Sequence, residues 1–288
     1  MRLVLGLAVA AACSAHATQT VSPTSPTPVS ATPSPARTGL PAGPPLVTPG
    51  ERMAYSLELQ GVALATLELA VGDVTAIGDR QAIVVQSRAK AVGLVKVVAN
   101  IDDVFTSWID VATGRPLRWL ADEFATRSTD RERTEADFAA RKDNVVPISF
   151  HLNDAAPERE PQVVSLPDVW DFNSFLMVLR AWDPPPGTRV VAEVMRSRFV
   201  WHVEMTARGK EKLTTALGTL PARRLDGHTY KLDRKGGRSP GSDERDFSIW
   251  ISDDDGRVPL KVGAKTDYGE ITLSITDYSP GTGKRLRD

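Results

Sequence analysis

Three consecutive carboxylates, Asp253, Asp254 and Asp255, stand before a glycine in the sequence IWISDDDGRVPLKV. Carboxylate oxygens could hold a metal ion or transfer protons, but a polar run that ends in glycine between two apolar runs is also typical of a hairpin turn. An EF-hand loop that began at Asp253 would need glycine and glutamate where Val258 and Ala264 stand. The spacing therefore favours a turn over a metal site.

The histidines are the next residues that could bind a metal ion or act as a catalytic base. In the stretch WHVEM, His202 and Glu204 lie on one face of a predicted strand and could give a metal ion two ligands, but the sequence shows no evident third. The pattern favours a polar, solvent-facing strand edge with Trp201 and Val203 in the core. His228, in LDGHTYKLD, is predicted to be a loop residue rather than a catalytic base.

Further carboxylates are Asp102 and Asp103 in NIDDVF and Glu132 and Glu135 in DRERTEADF. Glycoside hydrolysis needs two acids at a set separation across a cleft, and nothing in the sequence fixes such a pair. A solvated face accounts better for all of these residues. The sequence also lacks the serine-hydrolase elbow, the HExxH metalloprotease motif and the glycine-rich phosphate loops, so we expect no catalytic residues, no metal and no cofactor.

Aromatic side chains give a better indication of binding. Trp170 and Trp182 flank a predicted helix, and Trp201 follows in the next strand pair; a cleft between two curved sheets would be lined by such rings. We predict these three tryptophans as candidate ligand-binding residues, although each also suits the core. The tryptophans of the chain are Trp108, Trp119, Trp170, Trp182, Trp201 and Trp250.

The composition indicates a globular protein with one sizeable core, because the 288 residues are 41% hydrophobic and 25% charged. The net charge is −1, so no general attraction to nucleic acid or anionic lipid is implied. Nucleic acid is therefore not an expected partner.

The N-terminus has the plan of a secretory signal peptide over residues 1–17, with Arg2, an apolar run from Leu3 to Ala12 and then small residues. The apolar run is too short to span a bilayer. Cleavage after Ala17 would release a soluble chain. Cleavage before Cys13, at a sequence that loosely resembles a lipobox, would leave that cysteine lipidated. Both routes predict export, and Cys13 is the candidate lipid attachment site.

Residues 18–49 contain nine prolines and no aromatic residue. Such a segment cannot bury enough apolar surface to offset the entropy of ordering it, so we predict a disordered tether. A single β-rich domain over residues 50–280, with halves at about 50–165 and 166–280, and a C-terminal tail of residues 281–288 complete the predicted organisation. The single cysteine lies before this domain, so its stability must come from the core and not from a disulfide.

After residue 50, apolar residues recur at every second position, as in strands with one buried face. Tyr55 and Leu67, on either side of a glycine, belong to a predicted antiparallel pair, and the same pattern recurs along the chain. The segment LPDVWDFNSFLMVLRAWDPPPG differs: it predicts a helix capped by Asp168 or Asp171 and ended by the prolines at 184–186. The predicted fold class is mainly β, with two similar antiparallel β units forming curved sheets around one core and one short helix between the halves.

The two halves share a hairpin pattern. SWIDVATGRPLRW and IWISDDDGRVPLKV both contain Trp-Ile, a polar stretch, Gly-Arg, then Pro-Leu and a basic residue, and Trp108 and Gly114 are spaced as Trp250 and Gly256 are. This match predicts one β unit used twice, with the two tryptophans at equivalent positions. The first copy lacks the acidic run of the second, so the turn, and not the acidic cluster, is what recurs.

The chain resembles a bacterial exported family, domain of unknown function 3108, in successive blocks: GERMAYSLELQGVALATLELAVGDV, DVFTSWIDVATGRPLRW, DVWDFNSFLMVLRAWDPPPGTRV, ALGTLPARRL, and IWISDDDGRVPLKV with YGEITLSITDY. The resemblance runs from Gly50 to about Tyr278. It implies a mostly β domain that faces the periplasm, often on a lipoprotein or exported chain of a Gram-negative cell, and brings no established activity or catalytic residues. The sequence departs from the family in ATRSTDRERTEADFAARKD, which is predicted to be an exposed hairpin or a loop.

These observations predict a nonenzymatic, periplasmic or outer-membrane-associated protein that binds an amphiphile, a glycan or another envelope component by burial against aromatic and aliphatic side chains. No transmembrane span is expected in the mature chain, and a lipid anchor is one of its two possible forms. Two alternatives stay open: an envelope hydrolase whose carboxylates the linear sequence does not reveal, and an assembly module that binds another envelope protein through a sheet edge or aromatic surface.

Overall fold

A computed structural model describes residues 39–93, 95, 101–124, 129–266 and 268–287. The predicted signal peptide of residues 1–17, the candidate lipid attachment site Cys13 and residues 18–38 of the predicted tether lie outside the described residues. No helix in the described part of the chain is both long and apolar enough to cross a bilayer.

Strands account for most of the described residues. The first half contains β1 (Arg52–Leu59), β2 (Val62–Ile77), β3 (Arg80–Ala91), β4 (Asp102–Asp110), β5 (Pro116–Phe124), β6 (Arg131–Asp137), β7 (Val145–Val146), β8 (Ile148–Leu152), β9 (Glu158–Arg159) and β10 (Gln162–Val163). The second half contains β11 (Val169–Asp171), the helix α1 (Phe172–Ala181), β12 (Arg189–Arg196), β13 (Phe199–Thr215), β14 (Gly218–Lys231), β15 (Arg245–Ser252), β16 (Pro259–Thr266) and β17 (Gly269–Ser279). The predicted mainly β class with a short helix between the halves is confirmed.

The halves are two antiparallel meanders, β1–β6 and β12–β17, that join edge to edge where β17 pairs with β1. They therefore form one continuous 15-stranded sheet with β11 and β9 at its edges, and β10 and β7 form a separate pair. The sequence predicts curved sheets; the structure instead has a single sheet, because the first and last long strands hydrogen-bond to each other. The charged stretch that departs from the family contains β6, which pairs with β5.

The sheet curves around α1, which packs on β3, β4, β11 and β12. The indole Nε1 of Trp119 in β5 donates to the carbonyl of Ser197 just after β12, at 3.3 Å, so distant parts of the sheet meet. Alternate residues of each strand face inward; Tyr55 and Leu67 are 4% exposed, as their spacing predicts. Burial of a leucine side chain contributes about 1.5–3 kcal/mol. The interior contains three hydrophobic clusters that are in contact with one another, because Val262 packs against the first and second and Phe172 packs against the first and third.

The helix begins at the predicted cap, Asp171, whose carboxylate accepts from the backbone N–H of Ser174 at 2.9 Å. The Ser174 hydroxyl in turn accepts from the backbone N–H of Asp171, which completes a capping box. Met177 packs into the cluster formed mainly by β1–β4, which we call the first-half cluster. Leu179 packs into the cluster formed by β11, α1 and β12–β15, which we call the second-half cluster. The helix therefore lies at the junction of the halves, where it is covered on both sides.

A buried ion pair fixes the end of α1. Arg180 is 3% exposed and Glu51 is 1% exposed, and the guanidinium donates to both carboxylate oxygens at 2.7 and 2.8 Å. Arg180 also donates to the carbonyl of Gly256 at 2.7 Å, and the Tyr278 hydroxyl donates to Glu51 at 2.9 Å. Burial, followed by the nearby Glu51 carboxylate, raises the pKa of Tyr278 to about 12. The helix, the start of β1 and the β15–β16 turn are thus held by one polar cluster.

Residues 39–49 lie against the β domain, although the sequence places them in the tether. Leu46 is 6% exposed and Val47 is 1% exposed. The carbonyl of Val47 accepts from the backbone N–H of Leu286, which belongs to the predicted tail and packs against the first-half cluster. The packed domain therefore begins before residue 50 and includes much of the C-terminal segment, because these two short segments cover each other and the core.

The β4–β5 and β15–β16 hairpins are equivalent, as the repeated pattern predicts. In the first, Trp108 pairs with Arg118 and Ile109 pairs with Pro116, with a register shift between the two pairs. The second hairpin repeats this register and shift, with Trp250 opposite a lysine and Ile251 opposite a proline. A cationic side chain lies 5.4 Å from the ring centroid of each tryptophan.

The glycines of the two turns are not equivalent, which corrects the predicted alignment. The connection from isoleucine to proline spans residues 110–115 in the first copy and 252–258 in the second, so the second is one residue longer. The residue two before proline takes the left-handed conformation in both, and it is Gly114 (φ 73°) in one and Arg257 (φ 48°) in the other. Gly256, in contrast to Gly114, does not have a positive φ.

The acidic run forms the turn that its spacing predicts, and each aspartate has its own contact. Asp253 accepts from Arg223 at 2.6 Å and pairs with Lys210 at 2.7 Å. The carboxylate of Asp254 accepts from the backbone N–H of Arg257 at 3.0 Å. The carbonyl of Asp255 accepts from Arg285. The carboxylates of Asp253 and Asp254 thus serve the turn and its neighbours, Asp255 contributes its backbone carbonyl, and the three side chains are not arranged to hold a metal ion.

We predict that Gly114→Ala destabilises the fold more than Gly256→Ala does. Gly114 has a left-handed φ, and an added Cβ would lie 2.7 Å from the carbonyl oxygen of Gly43, so we expect a loss of about 2 kcal/mol or more. At Gly256 the nearest side-chain atom would be 3.2 Å away and φ is unstrained, so we expect a loss of less than about 1 kcal/mol. Urea unfolding of both variants measures the difference; equal losses would contradict this account of the turns.

We predict that Arg180→Met lowers the free energy of unfolding by about 3–5 kcal/mol, because it leaves Glu51 charged and unpaired in the interior. Adding Glu51→Gln to this variant should restore part of the loss, since the second change removes the unpaired charge. Denaturant unfolding of the single and double variants at neutral pH checks the order. A double variant less stable than Arg180→Met would show that the ion pair is not the reason for the loss.

Candidate functional site

A groove of about 570 Å³ lies on the outer face of β13–β17, the face opposite α1. Alternation along the strands puts every second side chain there, so Glu204 and Asp226 point outward while Val203 and Leu225 are buried. We call this feature the outer groove. Its lining residues are Arg189, Glu204, Met205, Thr206, Arg208, Arg224, Asp226, Gly227, His228, Asp246, Phe247, Ser248, Trp250, Gly263, Ala264, Lys265 and Glu270.

Asp226 organises the charges on the floor of the outer groove. Its carboxylate accepts from Arg208 at 2.9 Å, from Arg224 at 2.7 Å and from the Ser248 hydroxyl at 2.7 Å. Burial by itself would raise the pKa of Asp226, but the hydrogen bonds from Ser248 and Arg224 outweigh it, so the pKa lies below its usual value. Asp226 is therefore held as an anion, and its two arginines are held in place.

Four other charged side chains of the outer groove make no hydrogen bond or ion pair to the described residues. They are Arg189 and Lys265, which are cations, and Asp246 and Glu270, which are anions. Polar groups without a partner in the protein keep their full capacity to bind a ligand. The set carries equal numbers of positive and negative charges, so it suits a polar ligand without a large net charge.

Trp250 forms one wall of the outer groove. Its ring has the guanidinium carbon of Arg224 at 5.3 Å and the amine of Lys261 at 5.4 Å from its centroid, within cation–π range. The indole N–H donates to Glu211. Beside the ring, Gly263 leaves a gap in the outer face, where an added Cβ would lie 3.6 Å from Trp250. The Trp250 ring is therefore held in place by its neighbours, and the groove has free space beside it at Gly263.

Two of the three candidate tryptophans, Trp170 and Trp182, belong to the same buried cluster of the second half, whereas Trp201 does not. Trp170 is 1% exposed within the second-half cluster. Trp182 is 6% exposed and lines a smaller cavity of about 260 Å³ beside the end of α1. Trp201 is half-buried opposite Lys231, and it lines neither the outer groove nor the smaller cavity. Sequence reasoning missed Trp250 as a groove residue because its outward position depends on strand register.

The histidine pair lies on the outer face near one end of the groove. His202 and Glu204 share a face, as predicted, with Nε2 and Oε1 3.4 Å apart. The prediction for His228 is wrong: it lies in strand β14 directly opposite Glu204, with Nε2 3.7 Å from Oε2, because the glycine before it continues the strand. His202 stacks on Tyr230 with ring centroids 4.8 Å apart. No group of three metal-ligating side chains in the described residues is arranged to hold a metal ion.

The prediction of a solvated face is also wrong for Asp103. Asp102 does face outward, where it accepts from Arg88 at 2.7 Å, but Asp103 is 7% exposed on the inner face of β4. Burial raises the pKa of Asp103 to about 6, although the backbone N–H of Phe124 donates to it. Glu123 lies across the strand pair on the same inner face.

Glu123 has the more perturbed carboxyl group of this pair. Burial raises its pKa to about 7, a hydrogen bond from the Ser197 hydroxyl at 2.7 Å acts in the opposite direction, and the Asp103 charge raises the pKa further. The guanidinium of Arg196 favours the ionised form of both carboxyls. Two inner carboxyls with raised pKa values meet one requirement of the hydrolase alternative, which also needs a cleft between the two acids; neither carboxyl lines the outer groove or the smaller cavity.

A mainly β class of protein, built on one curved sheet around a short helix, is defined by these features. The chain belongs to the family described as protein of unknown function DUF3108, whose model matches residues 52–276. The resemblance seen in the sequence is thereby confirmed. No curated protein matches the chain.

Three solved structures are similar to this chain over most of its length but share little sequence with it. A candidate lipoprotein from Parabacteroides distasonis is 8% identical, with a TM-score of 0.38, over 82% of this chain and 97% of that protein. A candidate exported protein from Bacteroides fragilis is 6% identical, with a TM-score of 0.35, over 83% and 99%. A β-barrel-like protein of the family DUF1849 from Brucella abortus is 7% identical, with a TM-score of 0.49, over 82% and 99%.

We predict that stability falls as the pH rises from about 4 to about 7, in part because of Glu123. A carboxyl whose pKa is raised to about 7 in the folded chain binds a proton more tightly there than in the unfolded chain. Its contribution is complete below the unfolded pKa and is lost through the folded pKa. Glu123→Gln should reduce this fall by about 1 kcal/mol or more. Urea unfolding of both chains at pH 5 and pH 8 measures it; the same fall in the variant would contradict the assignment.

Proposed function

We propose that this protein is a nonenzymatic, exported protein of the cell envelope that binds a glycan in the outer groove. The single observation that carries the proposal is the set of four unpaired charged side chains, two of each sign, around the groove. Charged donors and acceptors of both signs form strong hydrogen bonds with adjacent hydroxyl groups. A neutral or zwitterionic sugar chain offers many such hydroxyls and no large charge.

The size and shape of the outer groove support an extended sugar ligand. Its volume of about 570 Å³ falls within the range of small-molecule sites, and it runs across several strands of one rigid sheet. Trp250 supplies an aromatic edge, and Asp226 keeps Arg208 and Arg224 in place before a ligand arrives. Preorganised side chains of this kind lose little entropy on binding.

Export is supported by the N-terminal sequence, which has the plan of a secretory signal peptide. Periplasmic or outer-membrane-associated placement would bring the outer groove within reach of envelope glycans. The tether of the exported form would allow the domain to move relative to its attachment point.

We predict that soluble peptidoglycan fragments or lipopolysaccharide core oligosaccharides bind the purified chain, and that the double variant Arg189→Gln/Asp246→Asn weakens binding by about tenfold or more. Gly263→Leu should abolish binding, because its backbone is unstrained and its side chain would fill the groove beside Trp250. Isothermal titration calorimetry on each sugar preparation measures both effects.

Asp79→Asn is the control, since it removes one charge from the exposed β2–β3 turn, which does not line the groove. Equal weakening by this control, or full binding by Gly263→Leu, would place the glycan elsewhere. The same mixtures, analysed by mass spectrometry for cleaved sugars, test the hydrolase alternative that Asp103 and Glu123 favour. Cleavage that Asp103→Asn abolishes would overturn the nonenzymatic proposal.

A further inference from the structure

A second cavity, of about 260 Å³, lies beside the end of α1 and has different chemistry from the outer groove. We call it the Trp182 pocket. Its apolar walls come from Trp182, from the prolines that end the helix and from the inner face of the second half, where Leu225 is 4% exposed and Ile251 is 3% exposed. Because these walls face the interior, a ligand placed there would lose contact with water along much of its length.

The charged residues that line the Trp182 pocket are all cations: Lys210, Arg223, Arg224 and Arg257. Nearby carboxylates do not balance them. Arg223 and Arg257 share Asp183, and Arg223 and Lys210 share Asp253.

Arg224 adds to the excess of positive charge. Its partner Asp226 also pairs with Arg208, so these two cations share one carboxylate as well. Each carboxylate near the Trp182 pocket is therefore divided between two cations. An anion bound at the mouth would be attracted by this surplus of positive charge.

We propose that the Trp182 pocket binds a single-chain anionic amphiphile, with its hydrocarbon chain against Trp182, Leu225 and Ile251 and its anionic head among the cations. The charge complementarity selects the head group, and the apolar walls select the chain. The volume lies below the range of about 300–1,000 Å³ of most drug-sized sites, which favours one chain over a diacyl lipid. This inference does not rest on the glycan proposal, because the two cavities have different linings and share a single residue, Arg224.

The polar cluster around Arg180 gives the pocket its shape. Arg180 holds the end of α1 against the carbonyl of Gly256, so the segment from Trp182 to Pro186 is fixed beside the β15–β16 turn. Arg257 of the same turn pairs with Asp183 at 2.7 Å. The mouth of the pocket is thus built from the acidic hairpin that the sequence singled out, and Asp253 there positions two of the cations.

Isothermal titration calorimetry with three probes of equal chain length tests the proposal below their micelle-forming concentrations. We expect dodecanoate to bind and dodecanol and dodecyltrimethylammonium to bind at least about tenfold more weakly. Acetate, the head without the chain, should give no measurable binding. Equal binding of dodecanol would overturn the assigned role of the cations, and equal binding of dodecyltrimethylammonium would show non-specific partition into apolar surface.

Two variants locate the binding. Ala207→Leu should abolish dodecanoate binding while leaving the melting temperature unchanged or higher, because Ala207 lines the pocket and a larger side chain would fill it. Lys210→Gln should weaken binding several-fold and more strongly at low salt. Gly263→Leu, which blocks the outer groove, is the matched control and should bind dodecanoate normally.

Full dodecanoate binding by Ala207→Leu would place the ligand outside the Trp182 pocket. Should Ala207→Leu fail to fold, the exposed position of Lys210 leaves Lys210→Gln as the deciding variant, and undiminished affinity there would overturn the proposal. Because Gly263→Leu is expected to lose glycan and keep dodecanoate, and Ala207→Leu the reverse, failure of one proposal is distinguishable from failure of the other.

Discussion

The buried ion pair between Arg180 and Glu51 is the contact on which the arrangement of the two halves depends. Both groups leave water almost completely, and such a transfer is tolerated only when each charge is paired and hydrogen-bonded. The pair joins the end of α1 to the start of β1, and the carbonyl of Gly256 joins it to the β15–β16 turn. The Trp182 pocket lies between the two elements that this cluster joins, the end of α1 and the β15–β16 turn.

The two faces of the curved sheet carry different chemistry because side chains alternate along each strand. The inner face holds the three hydrophobic clusters, and the polar groups admitted there, such as Asp103, have a perturbed pKa. Charged residues of both signs cover the outer face of the second half, and some stay unpaired. The proposed ligands follow from this division: a hydroxyl-rich sugar outside and a hydrocarbon chain with an anionic head at the inner pocket.

The two equivalent hairpins share one strand register but differ in the contacts that their turns make. Both copies keep tryptophan, isoleucine and proline in the same register, with a cation beside the tryptophan ring. The second copy has one more residue in its turn and the acidic run, and Asp253 uses the added charge to hold Arg223 and Lys210. In the first copy Asp110 accepts only from the backbone of its own turn and the nearby Arg80 within the described residues.

The strands, the helix with its Asp171 cap and the equivalence of the two hairpins could be predicted from the sequence, because period-two burial, capping and turn chemistry are local properties. Three features follow only from the pairing of strands: β17 joins β1 to make one sheet, Asp103 and Glu123 lie on the same inner face, and His228 lies opposite Glu204. The placement of Trp250 in the outer groove and of Trp182 in the smaller cavity also comes from the tertiary structure, since no local sequence pattern marks either residue as lining a cavity. Such sites gather side chains from separate strands, and only the register between strands sets their distances.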